Sequence, residues 1–205
     1  VEEGRIVYDN SKKATKFLLA SNFGEILLIG YSILLGLPLP LLPLQILWIN
    51  LITDSIPALA LTKEKGYDVM EKPRKEKSLL DSIFWFVLAA GLASIIPTLL
   101  IFHYGLSYLS IEKTRTMVMF AVIGFEMFFV FTCRSNKSLK EIGFFSNKYI
   151  WYAISSVVVL QLILIFSPLA SIFSVSKLSL FEWLLVLLAS LPGLIVFEAY
   201  KLVRG

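Results

Sequence analysis

The sequence predicts an all-α protein, a polytopic membrane bundle of six transmembrane helices that forms one domain over residues 1–205. Its composition is 57% hydrophobic and only 17% charged, with a mean hydropathy of +0.79. Soluble domains contain roughly 45–50% apolar and about 25% charged residues. Apolar runs long enough to cross a bilayer, about 20 residues each, recur six times, and the charged residues gather between them.

The first predicted helix covers about residues 14–37 and has a polar extension that reaches back towards Arg5. The segment Asn22–Glu25 interrupts its apolar pattern with an amide and a carboxylate. The turn Leu37–Pro43 that follows is short and carries no charge. We therefore expect the first two helices to form an antiparallel hairpin.

The second predicted helix covers about residues 41–62 and contains Pro57. A proline has no backbone N–H, so Pro57 cannot donate to the carbonyl one turn before it. We expect the backbone near Thr53 and Asp54 to be loosened there, with free carbonyl oxygens. Broken helices of this kind line ion sites in membrane transporters.

The remaining four helices are predicted from apolar runs separated by polar connections. The third contains Pro97, which predicts a kink, and the sixth contains Pro192. The fourth contains Glu126, whereas the fifth is almost free of charge. These helices cover about residues 79–104, 116–133, 149–166 and 180–202.

The distribution of Lys and Arg predicts the orientation of the bundle. Only Lys113, Arg115 and Lys177 fall on one side, and every other basic residue falls on the side of the two termini. That side includes the loop Lys63–Ser78, which is too charged to cross a membrane. Cytoplasmic segments carry the excess of Lys and Arg, so both termini of this integral, multi-pass protein are predicted to be cytoplasmic.

Several other classes of protein are excluded by the composition. A single cysteine, Cys133, rules out an internal disulfide framework. The net charge of +4 does not indicate nucleic-acid binding, because the basic residues follow the membrane topology. The chain starts at Val1, without an initiator methionine or a signal peptide, so we expect it to be part of a longer polypeptide.

Three carboxylates, Glu25, Asp54 and Glu126, lie well inside apolar runs. Each acid at the centre of a membrane helix costs about 2.5–3.5 kcal/mol on insertion scales, and such residues are usually functional. No Lys or Arg lies at a matching depth. A bound cation or protons would then supply the missing positive charge, unless the acids simply form a satisfied polar patch between packed helices.

The polar residues around these acids share helix faces. Asn50, Thr53 and Asp54 follow i, i+3 and i+4 spacing, and Asn22 and Glu25 follow i, i+3 spacing. Calcium takes six to eight oxygen ligands, and without a His or Cys cluster zinc and copper are not expected. The candidate metal ligands are Asn22, Glu25, Asn50, Thr53, Asp54 and Glu126.

Four segments carry a resemblance to a known family. They are Ser21–Glu25, Leu47–Asp54 with the following Pro57, Asp68–Arg74, and Val1–Arg5 at the start. In these segments the chain resembles the C-terminal membrane half of P-type cation-transporting ATPases, and it is most similar to calcium pumps of the sarco/endoplasmic reticulum type. The six helices would then correspond to the fifth to tenth helices of such a pump.

The resemblance implies a role for each candidate ligand in two neighbouring calcium sites. Glu25 and Asp54 would serve both ions, and Asn50 would belong to the second site. Asn22, Thr53 and Glu126 would belong to the first site. Ser55 stands where the family usually has glycine.

The resemblance also implies what this chain lacks. It contains no Asp-Lys-Thr-Gly-Thr phosphorylation motif, no Thr-Gly-Glu motif and no Gly-Asp-Gly motif. ATP and Mg²⁺ would act only through missing cytoplasmic domains, which together with the first four helices and the lipid bilayer would be its partners. The parent protein would be an ATP-hydrolysing enzyme, whereas this chain alone would be inactive.

The function predicted in this way is cation binding and transport within an ATP-driven calcium pump that exports the ion from the cytoplasm. A pump for manganese, sodium or protons is an alternative, since related pumps use similar helices. An ATP-independent six-helix channel or carrier is a second alternative, and a structural module with protonated acids is a third.

Overall fold

The computed structural model describes residues 2–66 and 79–204 of the chain. Helices dominate these residues and no strand occurs among them, which confirms the predicted fold class. Six helical stretches in the described part are long and apolar enough to cross a membrane, as predicted. They are Glu3–Leu34, Pro43–Leu61, Ile83–Tyr108, Ile111–Cys133, Lys148–Phe166 and Leu180–Val203.

The first two spans differ from each other in regularity. Helix α1 (Glu2–Leu34) is continuous, so the polar extension predicted before residue 14 is itself helical. Two residues after its end, Gly36 has a positive φ of 64°, the left-handed conformation that commonly closes a helix. The second span consists of α2 (Pro43–Trp48), a π-helical turn at Ile49–Asp54 and α3 (Ser55–Leu61).

The later spans agree with the predicted ranges except at their ends. The fourth predicted helix starts five residues early because the Ser110 hydroxyl caps it by accepting from the Lys113 N–H. The sixth is interrupted at Leu191, next to Pro192. The elements are α4 (Leu79–Tyr108), α5 (Ile111–Cys133), α6 (Leu139–Ile142), α7 (Lys148–Phe166), α8 (Leu169–Ile172), α9 (Leu180–Ser190) and α10 (Pro192–Arg204).

Helix α5 is the centre of the bundle. It packs against α1, α3, α4, α9 and α10, and most of its residues are buried. On its inner side the Phe129 ring stacks on Phe17 of α1 and Phe86 of α4, with ring centres 6.0 and 5.6 Å away. The other spans expose many apolar side chains, as expected for surfaces that face lipid. The central position of α5 carries Glu126 into the middle of the protein.

Hydrogen bonds show which helix ends lie together at one end of the bundle. At one end the amide of Asn10 donates to the carbonyl of Glu64 at 2.7 Å, and Lys201 donates to the carbonyl of Thr132 at 2.9 Å. Arg134, two residues after Thr132, is ion-paired with Glu64 at 2.7 Å, so the start of α1 and the end of α10 lie at the same end of the bundle. Most of the predicted loop Lys63–Ser78, namely residues 67–78, lies outside the described residues.

Helix α10 approaches α5 so closely at Gly193 that a side chain there would collide with backbone. A Cβ at this position would lie 2.5 Å from the Phe125 carbonyl oxygen. We expect Gly193→Ala to destabilise the protein by about 1–3 kcal/mol, the usual cost of overpacking. The measurement is the unfolding temperature in detergent. Gly30→Ala is the control, because a Cβ at Gly30 meets nothing within 4 Å, and an equal effect of both substitutions would contradict this account.

Candidate cation site

The π-helical turn Ile49–Asp54 is the centre of the candidate site, and it lies where the sequence predicts a loosened backbone. Two of its side chains bond to carbonyls one turn earlier: Asn50 Nδ2 donates to Ile46 O at 3.0 Å, and Thr53 Oγ1 donates to Ile49 O at 2.9 Å. Such bonds compete with the regular helical ladder. They occupy the carbonyl oxygens of Ile46 and Ile49, whereas free carbonyl oxygens are predicted one turn later, near Thr53 and Asp54.

Glu25 of α1 reaches the π turn, as the predicted hairpin requires. Its Oε2 accepts a hydrogen bond of 2.8 Å from Asn50 Nδ2. Glu25 is buried, with 5% of its surface exposed. The neighbouring Gly24 brings α1 close to α4, because a Cβ there would lie 3.1 Å from Ser94 Oγ.

Glu126 joins the site from α5, also as predicted. Its Oε2 accepts a hydrogen bond of 3.2 Å from Thr53 Oγ1, and only 1% of its surface is exposed. Asp54 is fully buried and interacts electrostatically with both Glu25 and Glu126. The structure thus brings three carboxylates from three separate helical segments to one place.

Most carboxylate oxygens of this site are buried and have no hydrogen-bond partner among the described residues. An unsatisfied buried polar group costs roughly 1–3 kcal/mol, and more when it is charged. The described residues therefore do not supply enough hydrogen-bond donors for these carboxylate oxygens. The unpartnered oxygens are Glu25 Oε1, Asp54 Oδ1, Asp54 Oδ2 and Glu126 Oε1.

Ser21 belongs to the same region and is missing from the predicted ligands. It is buried, its Oγ has no hydrogen-bond partner in the described part of the chain, and its side chain faces Asp54. Ser21 precedes Glu25 by four residues, so it shares the helix face of that acid. The sequence thus contained the signal that could have identified it.

Asn22 behaves differently from the other predicted ligands. Its Nδ2 donates to the Leu18 carbonyl of its own helix at 2.8 Å. No hydrogen bond among the described residues connects it to the acids, and it lines a cavity of about 300 Å³ together with Phe23 and Val87. The site described here therefore contains five of the six predicted residues.

The three carboxylates do not close around a common point by themselves. Within residues 2–66 and 79–204, no group of three or more His, Cys, Asp or Glu side chains is arranged to hold a metal ion. Asn50 and Thr53 stand next to the acids instead, with their own hydrogen bonds to Glu25 and Glu126. Any cation bound here would need amide, hydroxyl or backbone oxygens in addition to the acids.

The family is decided by a comparison with known proteins. The family model described as "Cation transporting ATPase, C-terminus" matches residues 38–203, which is most of the chain. The chain belongs to this family. The resemblance to P-type cation-transporting ATPases is thereby confirmed, and the chain is an integral, multi-pass membrane protein.

Individual relatives match the full chain, so the similarity also includes α1 and Glu25, which precede the residues matched by the family model. The chain is 39% identical over its full length to "Calcium-transporting ATPase 1" of Bacillus cereus, covering 26% of that protein. It is 37% identical to "Calcium-transporting ATPase" of Bacillus subtilis, covering 91% of the chain and 22% of the relative. The mouse protein "Calcium-transporting ATPase type 2C member 1" is 33% identical over the full chain, which covers 23% of it. The chain thus spans about a quarter of the length of these relatives.

Proposed function

We propose that this chain is the single transmembrane cation-binding and transport domain of an ATP-driven calcium pump. The observation that carries the proposal is the cluster of three buried acids around a π-helical turn, with four carboxylate oxygens unpartnered among the described residues. Oxygen ligands with negative charge are those that calcium prefers. The names of the relatives, which are calcium-transporting ATPases, support calcium over manganese, sodium or protons.

The hydrogen bonds support a division of the ligands between two neighbouring ions. Glu25 pairs with Asn50 and Glu126 pairs with Thr53, and Asp54 interacts with both acids. In this proposal Asp54 bridges the two ions. Asn22 joins the first ion after its amide group turns away from the Leu18 carbonyl.

Topology supports one direction of transport. The start of α1 and the end of α10 lie at one end of the bundle, and nearly all of the Lys and Arg residues fall on that side in the sequence, which under the positive-inside rule supports a cytoplasmic location for this end. The ion enters from that side and leaves at the opposite side. ATP and Mg²⁺ act through cytoplasmic domains of the whole pump, which push on the extension of α1 and on the loop after α3.

The proposal is tested by ATP-dependent uptake of radioactive calcium into inside-out vesicles that contain the full-length protein. We expect uptake that a calcium ionophore releases. Parallel assays with manganese, with sodium and with a pH-sensitive dye measure whether the protein transports one of these other cations. Uptake of one of these ions without calcium transport would contradict the choice of ion, and uptake of any ion without ATP would favour a channel or carrier.

Glu126→Gln tests the division into two sites. Glu126 accepts a hydrogen bond from Thr53, whereas Asn50 donates to Glu25 instead, so neutralising Glu126 should weaken one site more than the other. We expect equilibrium calcium binding to the full-length protein to show lower stoichiometry or lost cooperativity. Glu112→Gln, at the exposed start of the same helix, is the matched control and should bind calcium normally. Unchanged binding by Glu126→Gln would make Glu126 a protonated packing residue.

A further inference from the structure

A long groove opens on the membrane-facing side of the bundle, away from the cation site. It exists because α7 packs mainly against α3, whereas α9 packs against α5 and α4, so α5 forms the floor between them. The groove has a volume of about 680 Å³ and an almost entirely apolar lining. It runs along α7 from Trp151 to Ile165, which is about 21 Å at 1.5 Å per residue.

One polar side chain in this apolar wall has an unused hydrogen-bond donor. Gln161 is 8% exposed and lines the groove. Its Oε1 accepts from Trp48 Nε1 at 3.3 Å, but its Nε2 has no partner among the described residues. Burying an unpaired amide donor in an apolar environment is costly, so an acceptor from outside these residues is expected at this point.

The depth of Gln161 indicates where that acceptor comes from. Gln161 precedes the end of α7 at Phe166 by five residues, or about 7.5 Å, and this end is remote from the chain termini. Lys177, which is exposed, lines the groove at the same end. A cationic group at the membrane surface and an amide donor just beneath it match the phosphate and the ester carbonyl of a phospholipid.

The apolar lining of the groove and the polar groups at one of its ends favour a lipid as its occupant. An acyl chain is narrow enough to follow the apolar floor. From Gln161 to Trp151 the groove extends about 15 Å, a length that one acyl chain can follow.

We infer that this groove is a specific binding site for one phospholipid of the leaflet remote from the termini. Lys177 binds its phosphate, Gln161 Nε2 donates to an ester carbonyl, and one acyl chain lies against α5 between α7 and α9. The site is distinct from the cation site, and its occupation does not depend on calcium binding. It holds one lipid in place beside α5, the helix that carries Glu126.

The test is native mass spectrometry of the full-length protein in detergent, titrated with phosphatidylglycerol that carries two oleoyl chains. We expect one phospholipid to bind more tightly than all others. Val158→Trp fills the groove and should weaken this binding at least tenfold. Val159→Trp is the matched control, because Val159 is similarly exposed on the same helix but does not line the groove, and it should bind as the unsubstituted protein does.

Two further variants test the polar contacts. Gln161→Met and Lys177→Gln should each weaken the tight binding about three- to tenfold, and Lys177 is exposed, so its replacement leaves the packing intact. Equal binding by the protein with and without Val158→Trp, or equal loss with Val159→Trp, would mean nonspecific annular lipid only and would overturn the inference. Unchanged affinity in both polar variants would overturn the assignment of the head-group contacts, and a copurifying polypeptide in the groove would replace the lipid with a protein partner.

Discussion

Asp54→Asn should abolish calcium-dependent phosphorylation of the full-length pump by ATP. Asp54 is fully buried, lies at the end of the π turn and interacts with both Glu25 and Glu126. If it bridges two calcium ions, its neutralisation removes charge from both sites at once. We expect apparent calcium affinity to fall at least about a hundredfold, equivalent to about 3 kcal/mol.

The folded structure should tolerate this substitution. Asparagine has nearly the shape of aspartate, and its amide group can donate to the unpartnered oxygens of Glu25 or Glu126. Removing one of several buried like charges is expected to be neutral or stabilising. Phosphorylation by inorganic phosphate is therefore the control, and it should survive even when calcium is present. Normal phosphorylation by ATP at ordinary calcium concentrations would show that the assignment of Asp54 is wrong.

The second large effect concerns a buried ion pair at the end of the bundle where the termini lie. Arg134 Nε donates to Glu64 Oε2 at 2.7 Å, and both side chains are completely buried. Arg134 also donates to the carbonyls of Gly143 and Phe144, and Asn147 Nδ2 donates to Glu64 Oε2 at 2.9 Å. This cluster connects the segment after α3 with the segment after α5, the two helices adjoining the acids of the cation site.

Glu64→Ala should destabilise the protein by about 3–5 kcal/mol, because it leaves the guanidinium of Arg134 buried without its counter-charge. A large drop of the unfolding temperature in detergent is expected. Glu112→Ala is the control, because Glu112 is exposed and surface substitutions usually change the free energy of unfolding by at most about 0.5 kcal/mol.

The double variant Glu64→Leu with Arg134→Met distinguishes a charge effect from a loss of packing. Apolar residues can replace a buried ion pair at little cost, so the double variant should be more stable than Glu64→Ala alone. If Glu64→Ala unfolds at the same temperature as the unsubstituted protein, the pair does not stabilise this end of the bundle.

The sequence by itself determined the fold class, the six spans and the positions of the acids along them. These features depend on composition and on local spacing, such as the shared face of Asn50, Thr53 and Asp54 and the missing N–H of Pro57. The turn between the first two helices is too short to allow anything but a hairpin, so the meeting of Glu25 with Asn50 was also predictable.

The tertiary structure decided which side chains meet across helices. Glu126 pairs with Thr53, Asn22 turns to its own helix, and Arg134, which the sequence places among the basic residues of a surface loop, is completely buried against Glu64. The physical reason is that apolar periodicity is nearly lost in helices surrounded by lipid and protein, both of which are apolar. The rotation and tilt of each helix are then set by close packing and by a few polar contacts between segments far apart in the chain.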